Sequence, residues 1–114
     1  MMNPHWREAV SAAQGRKALN LEVLNLKGIS SFTDYFVICS ATSTRHAQAI
    51  CDAIQARLEE LGVRLAHVEG YAQAEWILMD YLDFVVHVFT ERAREFYDLP
   101  RLWKAASHVA IAEE

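Results

Sequence analysis

Tyr35-Phe36-Val37-Ile38-Cys39 is an unbroken apolar run of strand length, and four residues later Ser43 opens a stripe of Ala47, Ile50, Ile54, Leu58 and Leu61. The stripe recurs at spacings of 3, 4, 4 and 3, the period of one helix face. Arg45, Gln48, Asp52, Gln55 and Glu59 occupy the opposite side. Ser43 is a side-chain N-cap, and Gly62 stands where a helix ends in a left-handed residue. An apolar run without polar alternation suits a central strand covered on both faces. With residues 63–68 as the next strand, a β-α-β unit is expected, its strands parallel and joined by a right-handed crossover.

Working outward, Leu21 and Val23 alternate with Glu22, and Lys27-Gly28 closes a strand over residues 19–26 ahead of a loop at 28–31. Asn3 followed by Pro4 reads as an N-cap with proline at the first helical position. Trp6, Val10 and Ala13 then give a short amphipathic helix that docks on the body and weakens at Gly15. Downstream, Trp76-Ile77-Leu78-Met79 and Phe84-Val85-Val86-His87-Val88-Phe89 flank a turn at Tyr81-Leu82-Asp83 and should pair antiparallel. Residues 91–96 form a helical turn and 99–103 begin another. Residues 105–114 have little to anchor them and are expected to fray. Phe89, Phe96 and Trp103 are assigned to the core. The expected fold is α/β: a mixed five-stranded sheet flanked by helices.

A chain of 114 residues has room for one core, so residues 1–114 are read as a single domain, without repeats or linkers. Hydrophobic residues make up 53% and charged residues 23%, which excludes disorder. No stretch approaches the ~18 consecutive apolar residues of a membrane-spanning helix. A formal charge of −4 argues against a protein whose main contact is a phosphate backbone. Cys39 and Cys51 form no C-x-x-C pair and lie in apolar runs, so buried free thiols in a reducing cytoplasm are expected. The opening residues carry no secretory or transit pattern.

Catalytic signals are sparse. His46 is expected to be exposed, and His87, interrupting an apolar strand, is read as a core or edge histidine with a satisfied ring nitrogen in preference to a strained functional group. There is no H-E-x-x-H pattern, no G-x-S-x-G elbow and, with four glycines in the chain, no phosphate-cradling loop. Neither a metal nor a cofactor is expected. Asp34, Glu69, Glu75, Asp80 and Asp83 fall near strand ends, and Mg²⁺-dependent phosphoryl transfer through Asp34 and Asp80 is the competing reading. That chemistry needs two acids fixed close together. In Asp34-Tyr35-Phe36 the second position of a D-x-D pair is phenylalanine, and Asp80 and Asp83 suit turn roles. Aromatics beside charges, at Glu69-Gly70-Tyr71, Trp76, Asp80-Tyr81 and Arg94-Glu95-Phe96-Tyr97, are the residue types that dominate interfaces. The chain reads as a binder, with a module for some other protein partner as the third option.

Residues 28–38 (Gly28-Ile29-Ser30-Ser31-Phe32-Thr33-Asp34-Tyr35-Phe36-Val37-Ile38), Thr42-Ser43-Thr44-Arg45-His46 and Val68-Glu69-Gly70-Tyr71 resemble the ribosomal silencing factor (Iojap-like) family. So do residues 76–83, Val85-Val86-His87-Val88-Phe89, Tyr97-Asp98-Leu99 and Leu102-Trp103, and the likeness covers about residues 17–103. The resemblance implies a nucleotidyltransferase-like α/β fold without that fold's catalytic acids. It implies a non-enzymatic translational repressor that binds the large ribosomal subunit through its uL-fourteen protein and sterically blocks joining of the small subunit during starvation. The implied partner surface includes Glu69, Trp76, Asp80, Tyr81, Asp83, Arg94 and Tyr97, with Trp76 as apolar anchor and the acids facing lysine or arginine. It also implies a homodimer and little direct nucleic-acid contact. Leu82 stands where the family usually has glycine; if that position needs φ > 0, leucine imposes strain or another turn type. Ala41 replaces a usual glycine, Asn20 and Asn25 usual aspartates, and Pro100 a common acid.

Overall fold

The computed structural model describes residues 4–98, 101 and 106–111. Helix α1 (His5–Gly15) leads into strands β1 (Leu19–Asn25) and β2 (Tyr35–Ala41), then helix α2 (Thr44–Glu60). Strands β3 (His67–Glu69), β4 (Trp76–Asp80) and β5 (Phe84–Thr90) follow, then helix α3 (Glu91–Phe96) and strand β6 (Ser107–His108). Among the described residues the strands form one sheet in the order β3-β4-β5-β2-β1-β6.

Helix α2 forms as its apolar period requires. Ser43 accepts a hydrogen bond from the His46 amide at 3.0 Å, and Ala47, Ile50, Ile54 and Leu58 are buried. Gly62 ends the helix at φ 75°. In α1, Trp6, Ala9, Val10 and Ala13 face the core. Pro4 occupies the N-cap position itself, so the helix begins one residue later than expected; Asn3 lies outside the described residues. Both helices pack on one side of the sheet against Val23, Val37, Cys39, Ile77, Met79, Val86 and Val88. Arg57 of α2 joins them by donating to Glu8 of α1 at 2.7 Å.

The central β-α-β unit is corrected. β2 does run parallel to a following strand, but that strand is β5, in register from Tyr35↔Phe84 to Ala41↔Thr90. β3 begins only at His67 and lies at the sheet edge, antiparallel to β4. All seven residues of β5 are buried, whereas all three of β3 are exposed. The longer apolar run therefore takes the position beside β2, covered on both faces, and the short polar one is left at the edge. β4 and β5 pair antiparallel as expected.

The expected count of five strands is one short. β6 comes from the segment expected to fray: Leu24 pairs with His108, Asn25 with Ser107, and the Val109 amide donates to the Val23 carbonyl at 2.9 Å. The outer edge of β1 would otherwise leave its backbone groups without a strand partner, and the segment supplies one. Phe96, assigned to the core, is 80% exposed, because α3 turns Ala93 toward the sheet instead. His46 is not free in solvent. Its Nδ1 accepts from the Thr42 amide at 3.0 Å, so Nε2 carries the proton and donates to the Arg16 carbonyl at 2.7 Å. Cys39 and Cys51 are buried free thiols, Cys39 pushed up to about 12 and Cys51 higher still by burial. Trp103 and most of residues 99–105 lie outside the described residues.

Candidate partner-binding face

The two faces of the sheet differ. Along β4, Ile77 and Met79 point into the core beneath the helices, so alternation sends Trp76, Leu78 and Asp80 to the other face, where each is half-buried. On β5 the same face carries Val85, His87 and Phe89, in the pairs Asp80↔Val85, Leu78↔His87 and Trp76↔Phe89. Phe36, Ile38 and Ser40 of β2 and Leu24 of β1 continue it. Leu24, Leu26, Phe36, Ile38, Val85, Phe89, Ala93 and Ala106 form a second, smaller apolar cluster there, with Trp76 and Leu78 at its margin.

Trp76 is held from several directions. Its ring stacks on Phe89 at 5.0 Å and meets Tyr97 at 4.7 Å. Its indole Nε1–H donates to His87 Nδ1 at 3.0 Å. His87 is 3% exposed, and burial holds it down at about 3, so the ring is neutral. The sequence reading of a core histidine with one satisfied nitrogen agrees with this, although the partner was not legible.

α3 is fastened beside this aromatic group. Thr90 caps it, accepting from the Ala93 amide at 3.3 Å while donating its hydroxyl hydrogen to Glu75 at 3.0 Å. Arg94 reaches back over the sheet, donating to Ser40 Oγ at 2.9 Å and to the Glu22 carboxylate. Tyr97 and Phe96 are thereby presented to solvent at the edge of an open groove of about 650 Å³ lined also by Glu75, Arg92, Ala93 and Glu95.

The seven residues singled out do not form one cluster. Trp76, Arg94 and Tyr97 gather at one end of the sheet, where β5 runs into α3. Asp80, Tyr81 and Asp83 lie at the opposite end, four or more residues along, about 13 Å at strand rise. Glu69, exposed on the edge strand and 3.0 Å from His67, pairs with Leu78 between the two. Asp80 accepts from the Leu82 amide at 2.8 Å, the turn role expected of it. Tyr81 is buried, stacked on Phe84 at 5.0 Å, its phenol pushed up to about 12 by burial.

Asp34 lies just ahead of β2 and Asp80 ends β4, strands on either side of β5, and Asp34 instead donates its amide to the Asp83 carbonyl at 3.0 Å. Asp34 and Asp83 line a cleft of about 500 Å³ with Lys27 and Tyr35. Among the described residues no three His, Cys, Asp or Glu side chains stand together as a metal-ligand set, and no helix is long and apolar enough to cross a membrane. His87, Leu78 and the exposed Phe96 are the members of the face that sequence reasoning missed. Alternation along β4 and β5 carried the signal for the first two, once the hairpin register was known.

Fold and face together define a mixed-sheet α/β protein with two helices over one side and an aromatic-edged, half-open second side. Residues 2–114 match the family described as "Ribosomal silencing factor during starvation", and the chain belongs to that family. It is 41% identical over 103 residues to the ribosomal silencing factor RsfS of Halalkalibacterium halodurans, covering 90% of this chain and 88% of that one. It is 32% identical over 101 residues to a Mus musculus protein named for mitochondrial assembly of the ribosomal large subunit, covering 86% of this chain and 44% of that protein. A crystal structure from Bacillus halodurans has a TM-score of 0.83 at 39% identity, covering 93% of this chain and 96% of its own.

Proposed function

We propose that the protein binds the large ribosomal subunit in the cytoplasm and keeps the small subunit from joining it, with the second face of the sheet as the contact surface. The observation that carries this reading is Trp76: a large aromatic, half-buried, ordered by Phe89, Tyr97 and His87 before any partner arrives. Rigid aromatics of this kind are the usual anchors of protein interfaces. Family membership supports the ribosome as the partner, and the mouse relative is named for the large subunit.

Within that reading the contact is the uL-fourteen protein, met by Trp76 and Tyr97 at one end of the face and by Glu69, Asp80 and Asp83 along its edge and far end. Arg94 fastens α3 over this face, while Tyr81 packs in the cluster beneath the helices on the other side of the sheet. Acidic side chains on a chain of charge −4 favour a basic protein partner and speed encounter with it. Blocking by occupancy needs no turnover. The homodimer implied by the resemblance belongs to the same proposal and is read by light scattering.

The test is co-sedimentation of the purified protein with separated subunits on a sucrose gradient, followed by a subunit-joining assay. Migration with the large subunit alone, and loss of joining, is the expected result. Folded protein left at the top of the gradient overturns the reading.

A further inference from the structure

We propose that His87 is a positioning residue for Trp76: from inside the second apolar cluster it holds the indole in the orientation that a partner meets. The inference rests on the ribosome-binding reading and names a further residue of that same face. Because Leu78 lies opposite His87, Trp76 and His87 are diagonal neighbours on one face of the β4–β5 hairpin, within reach of long side chains. The indole N–H meets Nδ1 at 3.0 Å. The imidazole is itself fixed, edge-on to Phe36 at 4.5 Å and nearly parallel to Phe89 at 6.3 Å.

Two features separate this arrangement from ordinary core packing. Since Nδ1 accepts, the ring proton sits on Nε2, and Nε2 is buried without a hydrogen-bond partner. A buried, unpartnered N–H is destabilising, and an apolar residue in this strand would avoid it. The indole N–H points inward to the buried Nδ1 acceptor, while the tryptophan as a whole is only partly buried. The hydrogen bond gives the indole N–H one directed partner within the face. Its effect is to choose one ring orientation, and ordering a side chain before association lowers the entropy lost on binding.

Two substitutions separate positioning from structure. His87→Leu removes the acceptor together with the orphan donor. His87→Asn keeps an oxygen close to the Nδ1 position. The expected outcome is opposite rankings. The leucine variant melts no lower than the wild type, its Trp76 indole N–H exchanges faster with solvent, and its affinity for large subunits falls roughly three- to tenfold. The asparagine variant melts lower yet keeps near wild-type affinity. Trp76→Phe assigns the indole resonance, and His87→Met replaces the leucine variant should that one not fold. Wild-type affinity in His87→Leu overturns the positioning role and leaves the functional reading standing. Affinity that merely follows melting temperature across the variants also overturns it. If the wild type itself does not bind large subunits, the functional reading fails first, and this role with it.

Discussion

Gly70 packs so closely against the first residue of β4 that a Cβ on it would overlap the main-chain carbonyl oxygen of Trp76. Its φ of 80° lies in the left-handed region as well, so the position excludes side chains on two separate grounds. The turn closes through the Ala74 amide, which donates to the Gly70 carbonyl at 2.8 Å, while Tyr71 anchors the same loop to α2 through Asp52 at 2.8 Å. What reads in sequence as part of an interface motif is, sterically, the support that sets the start of β4.

Gly70→Ala should therefore cost roughly 2 kcal/mol or more of folding stability, from strain and displacement of the Trp76 backbone together. Urea denaturation measures it. A change below about 0.5 kcal/mol contradicts the close approach.

Leu82 lies at φ 74°, and the Asp83 amide bonds back to the Tyr81 carbonyl at 3.0 Å around it, a strained three-residue turn with a leucine at its tip. The leucine is 65% exposed, so no packing in the fold offsets that strain. Leu82→Gly should raise stability by about 0.5–1 kcal/mol, the relief of left-handed strain less the entropy glycine adds to the unfolded chain. A lower unfolding midpoint would mean the turn does not have this form.

Trp76→Ala should weaken large-subunit binding by about 2 kcal/mol, some thirtyfold. The same change removes stacking on Phe89 and should lower fold stability by about 1 kcal/mol, leaving the protein folded at 25 °C. Affinity by titration and stability by denaturation must be measured on one preparation. Unfolding alone would return Trp76 to the core.

His87 is held at about 3 in the folded protein against 6.5 when exposed, with burial as the cause. Between these values the unfolded chain takes up a proton that the folded one does not. The stability due to the neutral ring is thus complete above about pH 6.5 and falls, by roughly 1 kcal/mol for each pH unit, as pH drops toward 3. The difference between wild type and His87→Leu in denaturant midpoint should follow that slope; a difference flat from pH 7 to 4 contradicts it.

Arg94 ties α3 to β1 and β2 through Glu22 and Ser40, with both charged side chains mostly shielded from water. Arg94→Met should cost about 2 kcal/mol, because it leaves the Glu22 carboxylate short of its main partner. A double-mutant cycle with Glu22→Gln should return a coupling of about 1–2 kcal/mol. Coupling near zero would mean that α3 is held by Thr90 and packing alone.

α2 was legible in full from sequence because its cap, stripe and terminal glycine all lie within twenty residues and report on one another locally. The β4–β5 hairpin was legible for the same reason: two apolar runs joined by a turn too short for any other pairing. The partner of β2 was not. Local pattern placed the nearest following strand beside it, whereas the sheet put the wholly apolar β5 there and sent β3 to the edge. The candidate face was legible as residue types and not as an arrangement. Tyr81 and Arg94 look like surface residues in the chain and are turned inward in the fold.

The sequence by itself determined helix α2, the β4–β5 hairpin and which side of each carries the apolar residues. Periodicity, capping and turn chemistry act over a few residues, so they are written in neighbouring positions. Only the tertiary structure decided that the tail closes the sheet as β6, that Gly70 yields to Trp76, and that the indole of Trp76 is held by His87. Those contacts join residues brought together by strand register and crossover, and register depends on the burial of the whole sheet at once.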